Sequence, residues 1–300
     1  MGKRYIFVDL AGGLGNQIFI LEFAKYISNL NNGEIILNLT HIDSEQFGGK
    51  STIKDFTFTN NYKSYKLNPA LKRILDVSKR FSTVVNRINR RFVFVMNEVE
   101  FKAKKYSIEH LVQNNNPKFI FVSGFWQNFE YWQEVFEYEM KDHSADYFSY
   151  FKLIQQNNPI IFHYRIGDFG QKWQYQWGIL SPKFLTSCLC KINEDRNDEK
   201  KQVWIFSDNI AVAKSFIQKE FFPSNFEIKY IMDSQMKPAE VLLLLSKSSI
   251  LICSNSTYSL AAAKIGNVKT VFIPDTLSKF DVVDFATPKD WVKMKSIWMS

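Results

Sequence analysis

The sequence predicts an α/β fold built from two Rossmann-like halves. Short runs of β-branched and aromatic residues alternate with stretches whose apolar residues recur at helical spacing. The alternation begins near residue 4 and begins again after Pro159, so each half is expected to form a parallel sheet with helices on its faces. A polar run from Gln155 to Asn158 precedes the second start, which places the predicted domain boundary between residues 155 and 156.

The expected elements follow in that order. In residues 1–155 the predicted strands are 4–8, 34–39 and 119–122, and the predicted helices are 18–30, 69–94 and 131–140. In residues 156–300 the predicted strands are 160–162, 203–206, 228–231, 250–253 and 270–273. The predicted helices between them are 182–191, 210–217, 238–245 and 260–265. Ligands bind beyond the carboxyl ends of strands in such sheets, so the segments that follow the strands are where function is expected.

The composition excludes several classes of protein. Of the 300 residues, 46% are hydrophobic and 23% are charged, which excludes a disordered or collagen-like chain. The formal net charge of +8 favours anionic partners, namely phosphates, nucleic acid or an acidic membrane surface, although a merely soluble basic protein also fits. No RRM, KH or zinc-finger signature accompanies the charge, so nucleic acid is not expected as a partner.

The cysteine pattern and the hydropathy of the sequence indicate whether the protein binds a metal and where in the cell it lies. The three cysteines, Cys188, Cys190 and Cys253, form no Cys-x-x-Cys pair and no Cys/His cluster, so no metal is expected. Asp9 and the glycines after it interrupt the first apolar stretch, which therefore lacks the layout of a signal peptide. The most apolar later run, 241–253, is too short to span a bilayer. We therefore expect a cytoplasmic protein.

The first candidate site is the segment Gly12-Gly-Leu-Gly-Asn-Gln17, between a predicted strand and a predicted helix. Glycines there permit positive φ angles and let a ligand approach the backbone closely. A helix N-terminus adds N–H groups and the positive end of a dipole. An ordinary tight turn would show the same glycines, and Asn16 and Gln17 could cap the helix instead of contacting a ligand.

The second candidate site is His163-Tyr-Arg-Ile-Gly-Asp168, which also follows a predicted strand. Arg165 carries a rigid fork of donors that suits phosphate oxygens. Asp168 could orient Arg165 or accept a proton from a hydroxyl nucleophile. The alternative is a surface ion pair at the end of a strand.

Two further polar segments follow predicted strands. Ser254-Asn-Ser-Thr-Tyr-Ser259 could grip a diphosphate through hydroxyl and N–H groups, or could simply cap the next helix. In Ser207-Asp-Asn209, the Asp208 carboxylate could hold a ribose or a base edge, and capping is again the alternative.

Taken together, these motifs resemble glycosyltransferase family 11, the α-1,2-fucosyltransferases. That family typically shows an opening like G-G-L-G-N-Q-[LM]-F, followed by G-[YF]-[WF]-Q, H-x-R-x-G-D, F-S-D and N-S-T-[FY]-S in this order. The chain carries them at Gly12–Phe19, Gly124–Gln127, His163–Asp168, Phe206–Asp208 and Asn255–Ser259. The resemblance extends over about residues 5–275.

The resemblance implies the GT-B arrangement of two facing Rossmann-like domains, with residues 1–155 on the acceptor side and residues 156–300 binding the donor. It also implies an inverting, metal-independent enzyme that moves L-fucose from GDP-β-L-fucose to a galactose-like hydroxyl and uses no cofactor. Carried over by position, the implied catalytic residues are Asp168, Arg165 and Asn16, with Arg165 on the β-phosphate. The implied donor-binding residues are Gly13, Gly15, Asn16, His163, Arg165, Asp208, Asn255, Ser256, Thr257 and Tyr258.

The chain departs from the family at one position that bears on the donor. Many members carry a second arginine where this chain has Ile166, although the related protein O-fucosyltransferases also have an apolar residue there. Two alternatives therefore stay open: a transferase of the same fold with another sugar nucleotide or linkage, and a non-catalytic protein that binds glycan or phosphate. Asp9 is a second candidate for the catalytic base. The acceptor is expected to depend on loops 43–66 and 169–179.

The segment 71–91 is basic and amphipathic, with seven cations against the single acid Asp76. A solvated helix packed on its own domain would show this pattern. The functional interpretation is peripheral contact with an anionic membrane, where a lipid-linked acceptor such as an O-antigen unit of lipopolysaccharide would lie. Under that interpretation the protein is cytoplasmic and peripheral on the inner face of a bacterial plasma membrane.

Overall fold

The computed structural model describes residues 3–40, 42, 53–58, 62–65, 86, 91–99, 101, 107–133, 138–167, 177–194, 200–231, 236–279 and 286–299. The chain divides into two compact units, residues 1–135 and 136–300. Each unit is an α/β domain around one parallel sheet. The α/β class predicted from the sequence is therefore confirmed.

The first sheet has five parallel strands in the order β3-β2-β1-β5-β4. The strands are β1 (Tyr5–Asp9), β2 (Glu34–Asn38), β3 (Lys63–Tyr65), β4 (Val93–Asn97) and β5 (Phe119–Ser123). The helices are α1 (Leu14–Asn31) and α2 (Ile108–Asn115), and single 3₁₀ turns cover Ile53–Asp55 and Phe129–Tyr131.

The two faces of the first sheet carry different side chains. On β1, Ile6 and Val8 are fully buried, and α1 packs on this strand. On the alternate positions, Phe7 stacks on Phe121 of the neighbouring strand with ring centroids 4.9 Å apart. Because successive strand residues point to opposite faces, the register that pairs Phe7 with Phe121 fixes one aromatic face and one aliphatic face.

The second sheet has six parallel strands in the order β11-β10-β9-β6-β7-β8. The strands are β6 (Ile160–Tyr164), β7 (Lys201–Ser207), β8 (Phe226–Tyr230), β9 (Ile250–Cys253), β10 (Thr270–Pro274) and β11 (Val292–Met294). The helices are α3 (Ala145–Asn157), α4 (Pro182–Glu194), α5 (Ile210–Ile217), α6 (Pro238–Ser246) and α7 (Thr257–Ile265). Counted from β6, this is the strand order 3-2-1-4-5-6 of dinucleotide-binding sheets.

The central strand of the second sheet is buried along its whole length, as expected where helices cover both faces. Phe162, Tyr164 and their aliphatic neighbours form a single core with α4. The Tyr164 hydroxyl, which lies inside this core, donates to the carbonyl oxygen of Leu180 at 2.6 Å. A buried hydroxyl without such a partner would be costly, so this bond lets a tyrosine occupy a core position.

The division between the units lies after Val135, whereas the sequence placed the boundary at residues 155 and 156. Helix α3 accounts for the difference, because it packs on α6 and buries Tyr147 and Ile154 within the second unit. The acceptor role given to the first half and the donor role given to the second stay predictions.

Two of the predicted helices are wrong over part of the residues that the structure describes, although residue 86 is helical. Residues 93 and 94, placed at the end of a helix over 69–94, belong to β4. Most of the rest of that stretch, including most of the basic segment 71–91, lies outside the described residues. In the stretch 131–140, a single 3₁₀ turn ends at Tyr131 and residues 132, 133, 138 and 139 are not helical. The expected elements also omitted β3, β4, α2, α3 and β11.

Across the part of the chain that the structure describes, no helix is long and apolar enough to cross a membrane. In the same residues, no three or more histidine, cysteine, aspartate or glutamate side chains are grouped so that they could hold a metal ion.

Candidate functional site

The second sheet brings two of the sequence motifs together at one point. The chain builds β6, β7 and β8 in one direction and then crosses to β9 on the other side of β6, so the strand order reverses between β6 and β9. In open α/β sheets the crevice at such a reversal is the usual place for a ligand. The residues after β6 and the residues after β9 meet there, since the backbone N–H of Arg165 donates to the Ser254 hydroxyl at 3.3 Å.

Arg165 is held by the carboxylate of Asp208, which follows the neighbouring strand β7. One carboxylate oxygen, Oδ2, lies 2.8 Å from Nη1 of Arg165. The other, Oδ1, accepts from the backbone N–H groups of Ile166 at 2.9 Å and Gly167 at 3.0 Å. A Cβ on Gly167 would lie 2.4 Å from Asp208 Oδ2, so glycine is needed for this approach. Asp208 therefore fixes both the guanidinium and the loop that carries it.

The position of Asp208 settles one alternative from the sequence. The cap of α5 is Asn209, whose side chain accepts from the backbone N–H of Val212 at 3.2 Å. Asp208 is not the cap, because its carboxylate turns to the loop after β6 instead. Its predicted contact with a ribose or base stays a prediction, and its observed contacts are those of a positioning residue.

His163 is almost completely buried at the end of β6. Burial lowers the pKa of its imidazole to about 4, with the positive charge of Arg165 acting in the same direction and Asp208 opposing it. The ring is therefore neutral at physiological pH. It lies 5.1 Å from the ring of Tyr258, and its Nδ1 atom has no hydrogen-bond partner among the described residues.

The segment after β9 begins helix α7, and several of its polar side chains form hydrogen bonds with backbone groups. The Ser256 hydroxyl caps the helix by accepting from the N–H of Tyr258, and the Ser259 hydroxyl donates to the Ser256 carbonyl oxygen. The Tyr258 hydroxyl donates to the carbonyl oxygen of Pro238 at the start of α6. Thr257 is the first residue of α7. Capping therefore explains the two serines, and the N-terminus of α7 supplies a positive dipole end beside Arg165.

Asn255 acts as an anchor in this segment. Its side-chain nitrogen lies 3.2 Å from the carbonyl oxygen of Gly178 and 3.3 Å from those of Trp177 and Leu277. Its Oδ1 atom is buried and has no hydrogen-bond partner in the described part of the chain. Asn255 thus ties the chain around residues 178 and 277 to the start of α7.

The first sheet has its own reversal, between β1 and β5, and two more motifs meet there. Gly12 has a φ of +73°, and a Cβ at that position would lie 2.6 Å from Asn16 Nδ2. The Asn16 side chain accepts from Nε2 of Gln127 at 2.8 Å, which joins the segment after β1 to the segment after β5. Gln17 is buried and bridges the Gly12 carbonyl oxygen at 2.8 Å and the Ile53 N–H at 3.0 Å. Gln17 therefore supports the turn from inside.

The remaining predicted residues occupy different positions. Gly13 is the cap position of α1 and has no atom within 4 Å of a Cβ placed on it, and Gly15 is buried inside α1. Asp9 ends β1, where its carboxylate accepts from Asn38 Nδ2 at 2.6 Å. Asp168 and the loop residues 168–176 lie outside the described residues. Sequence reasoning missed Glu98, whose Oε2 accepts from the Phe125 N–H at 2.7 Å across two strands.

No protein-family model and no curated protein sequence matches the chain. Several solved structures do. A mutant of FUT1 from Arabidopsis thaliana in complex with GDP is 13% identical, with a TM-score of 0.53 over 91% of this chain and 70% of that one. The fucosyltransferase NodZ from Bradyrhizobium is 12% identical, with a TM-score of 0.48 over 87% of this chain and 92% of that one.

A family 9 glycosyl transferase from Veillonella parvula is also similar, at 8% identity and a TM-score of 0.49, over 100% of this chain and 89% of that one. At such low identities the likeness to the Arabidopsis protein concerns the fold. It confirms the GT-B type of fold, with two units that each contain one parallel sheet.

Proposed function

We propose that this chain is a glycosyltransferase that binds GDP-fucose. The observation that carries the proposal is the guanidinium of Arg165, held by Asp208 beside the N-terminus of α7 at the reversal point of a dinucleotide-type sheet. A fixed cation and the N–H groups of a helix N-terminus are the donors that a diphosphate needs. The GDP in the structurally similar Arabidopsis protein supports a guanosine diphosphate as the ligand.

The proposed reaction is an inverting transfer of L-fucose from GDP-β-L-fucose. The acceptor oxygen bonds to the anomeric carbon, the bond from that carbon to the β-phosphate oxygen breaks, and GDP leaves with the electron pair. We assign the acceptor proton to Asp168, with Asp9 as the second candidate. Arg165 and the α7 N-terminus would meet the charge that develops on the phosphate, so the reaction would need no metal.

The neutral imidazole of His163 is compatible with the binding of an anionic diphosphate by Arg165. A protonated ring beside Arg165 would repel the guanidinium, whereas a neutral ring leaves the positive charge of the site on Arg165 alone. Its buried Nδ1 atom is free of protein partners in the described residues and would be satisfied by a ligand hydroxyl or a water. Asn16, in the first unit, would contact the donor sugar or the diphosphate.

We further propose an α-1,2 linkage to a galactose-like hydroxyl of a surface glycan, such as an O-antigen unit of lipopolysaccharide. The five ordered motifs support this finer assignment. A lipid-linked acceptor would bring segment 71–91 to the inner face of a bacterial plasma membrane, where a cytoplasmic enzyme would work. The alternatives are another sugar nucleotide or linkage, for which Ile166 leaves room, and a protein that binds without turnover.

Thermal unfolding with nucleotides tests the donor. GDP and GDP-fucose should stabilise the protein in the presence of EDTA, whereas UDP, ADP and CMP should not. A ligand at 100 times its dissociation constant adds about 2.7 kcal/mol to stability, which is easily measured. Arg165→Ala should remove the shift while Lys293→Ala, an exposed cation on β11 of the same sheet, keeps it. A UDP preference, or an unchanged shift in Arg165→Ala, contradicts the assignment.

Product analysis tests the reaction. Incubation with GDP-fucose and lactose should release GDP and yield a trisaccharide whose new anomeric signal reports the α configuration and whose linkage reports position 2. Release of GDP without transfer would leave the donor assignment intact and refute this acceptor. Stabilisation by GDP with neither hydrolysis nor transfer would favour the non-catalytic alternative.

A further inference from the structure

The first unit contains an exposed aromatic ring at the reversal point of its own sheet. Phe125 follows β5 and is 39% exposed. Its ring lies over Gly12, because a Cβ on that glycine would be only 3.2 Å from Cε1 of Phe125. The strand order reverses between β1 and β5, so Phe125 and Gly12 mark the place where an open α/β sheet takes a ligand.

The backbone around Phe125 is held in an unusual conformation. Gly124 has a φ of +119° and Trp126 has a φ of +50°, and a positive φ is uncommon for a bulky residue. A side chain at position 124 would collide with Glu98, whose Oε2 accepts from the Phe125 N–H. Strain of this kind persists only where neighbouring contacts enforce it, and it concentrates at functional sites.

The neighbouring tryptophan provides those contacts. The Trp126 indole stacks on Phe23 of α1 with centroids 3.8 Å apart and planes 5° from parallel. Its Nε1 atom donates to the Ser123 carbonyl oxygen at 3.1 Å. Trp126 is buried while Phe125 is not, so the two positive φ angles direct one ring into the core and present the other to solvent.

Side-chain amides lie near Phe125. Gln127, two residues further along the chain, is joined to Asn16 by an amide–amide hydrogen bond of 2.8 Å. A side-chain amide carries both N–H donors and a carbonyl acceptor, so an amide can hydrogen-bond a sugar hydroxyl in either role. The carboxylate of Glu98 accepts a hydrogen bond from the backbone N–H of Phe125.

We propose that Phe125 and Gln127 form a subsite for an uncharged hexopyranose ring of the acceptor glycan. This rests on the proposed function. A pyranose presents C–H bonds on one face and hydroxyl groups round its rim, which suits an aromatic face flanked by amides. In the described part of the chain, the contacts of Phe125 and Gln127 are with Gly12, Glu98 and Asn16, none of them a cation, whereas Arg165 lies at the reversal point of the second sheet. Phe125 is a binding residue that selects a sugar with an unobstructed C–H face.

Matched variants test the subsite. Phe125→Leu keeps the apolar volume and removes the ring face, and Phe125→Tyr keeps the ring. Phe92→Leu is the control, since Phe92 is 48% exposed but precedes β4, at the opposite end of the same sheet. The probes are lactose, methyl β-D-galactopyranoside and an array of surface glycans. Binding is measured on the whole chain by saturation-transfer NMR and on the array.

We expect wild type, Phe125→Tyr and Phe92→Leu to bind the same glycans, with saturation transferred mainly to the C–H protons of one hexose face. Phe125→Leu should bind them about tenfold more weakly, because leucine offers no flat ring face to the C–H face of the sugar. GDP should stabilise all four proteins equally. Equal glycan binding by Phe125→Leu, or wild type that binds no probe, overturns the subsite.

Two further outcomes separate this inference from the proposed function. Loss of GDP stabilisation in Phe125→Leu would mean that the ring stacks on the guanine or contacts the donor, and the acceptor subsite would be wrong. Glycan binding through Phe125 in a protein that GDP does not stabilise would refute the proposed donor and leave the subsite standing.

Discussion

The two sheets of this chain carry different residues at the points where their strand order reverses. In the first unit, glycine at position 12, the strained Gly124–Trp126 backbone and buried aromatic stacking hold a neutral ring and two amides. In the second unit, one carboxylate, Asp208, holds a cation and a loop, and a neutral histidine lies buried beside them. The same strand geometry thus presents an aromatic ring and amides in one unit and a guanidinium in the other.

This difference teaches what each site can bind. Parallel sheets with a reversal point supply the place for a ligand, but they do not determine its chemistry. The charge of the residues after the strands does, because Arg165 and the α7 N-terminus favour an anion while Phe125 and its amides favour a polar neutral ring. A transferase needs both kinds of site, one for the nucleotide and one for the acceptor.

The largest expected effect on stability comes from replacing the side-chain amide of Asn255 in the second unit with a carboxylate. Asn255→Asp replaces an N–H donor with a carboxylate that faces the carbonyl oxygens of Gly178 and Leu277. An uncompensated buried charge typically costs about 3–5 kcal/mol, so the free energy of unfolding should fall by that amount. Urea denaturation at pH 7 measures it.

The Asn255→Asp variant should also respond to pH. Its new carboxyl group would have a raised pKa in the folded state, so part of the lost stability should return as the pH falls. Asn267→Asp is the matched control, because Asn267 is exposed after α7. A loss in Asn255→Asp no larger than that of Asn267→Asp would show that the amide is not an anchor.

The second prediction concerns the buried histidine of the same site. The His163 pKa is about 4 in the folded protein against 6.5 for a free side chain. The unfolded chain therefore binds a proton first as the pH falls, so the stability that His163 contributes is complete above pH 6.5 and is lost toward pH 4. The slope in that window is about 1.4 kcal/mol per pH unit.

Unfolding free energies measured from pH 4 to 8 test the histidine. His163→Gln should remove this slope, whereas His110→Gln, at an exposed position on α2, should keep it. Parallel stability curves for wild type and His163→Gln would mean that the imidazole titrates normally. Such a result would also weaken the argument that the positive charge of the site resides on Arg165 alone.

Sequence patterns predicted the strands that lead into the candidate sites, β1, β5, β6, β7 and β9, because buried parallel strands are nearly continuous apolar runs. They missed β3, β4 and β11. Local signals for two missed helices were present: Ser107 and Ser144 cap α2 and α3, and Asn116 and Asn158 end them in left-handed conformation. Short lengths and mixed polarity obscured them. The sequence motifs singled out Arg165 and His163, which contact residues after β9, and the roles of both side chains stay predictions.

Other features of the sites had no local signal. Glu98 reaches Phe125 from a neighbouring strand, and Asp208 reaches Ile166 and Gly167 from another, so each contact depends on strand order and not on spacing along the chain. The positive φ of Trp126 was equally hidden, since tertiary stacking on Phe23 imposes it against the residue's own preference.

The third prediction tests the Gly12 turn at the reversal point of the first sheet. Gly12→Ala should cost about 1–3 kcal/mol, because its φ of +73° disfavours a side chain and the Cβ would lie 2.6 Å from Asn16 Nδ2. Gly13→Ala, with nothing within 4 Å of its Cβ, should cost less than about 1 kcal/mol as a poorer helix cap. Chemical denaturation of both variants measures the difference.

Glycan binding should follow the same pattern as stability. Gly12→Ala crowds Asn16 and the Phe125 ring, so it should weaken binding of the glycan probes more than Gly13→Ala does. Equal costs for Gly12→Ala and Gly13→Ala would show that the turn relaxes easily, and that the first site is less rigid than its contacts indicate.

The smallest expected effect on stability distinguishes the roles of Asp208 and Asn209, two adjacent residues near Arg165 in the second unit. Asn209→Ala removes the cap of α5 and should cost about 1 kcal/mol of stability, with stabilisation by GDP unchanged. Asp208→Ala leaves the N–H groups of Ile166 and Gly167 without their acceptor and releases Arg165, so stabilisation by GDP should be lost. Thermal unfolding of both variants with and without GDP decides the matter. If Asn209→Ala loses the GDP shift and Asp208→Ala keeps it, the helix start and not the carboxylate clamp organises the site, and the contrast between the two units would rest on Arg165 alone.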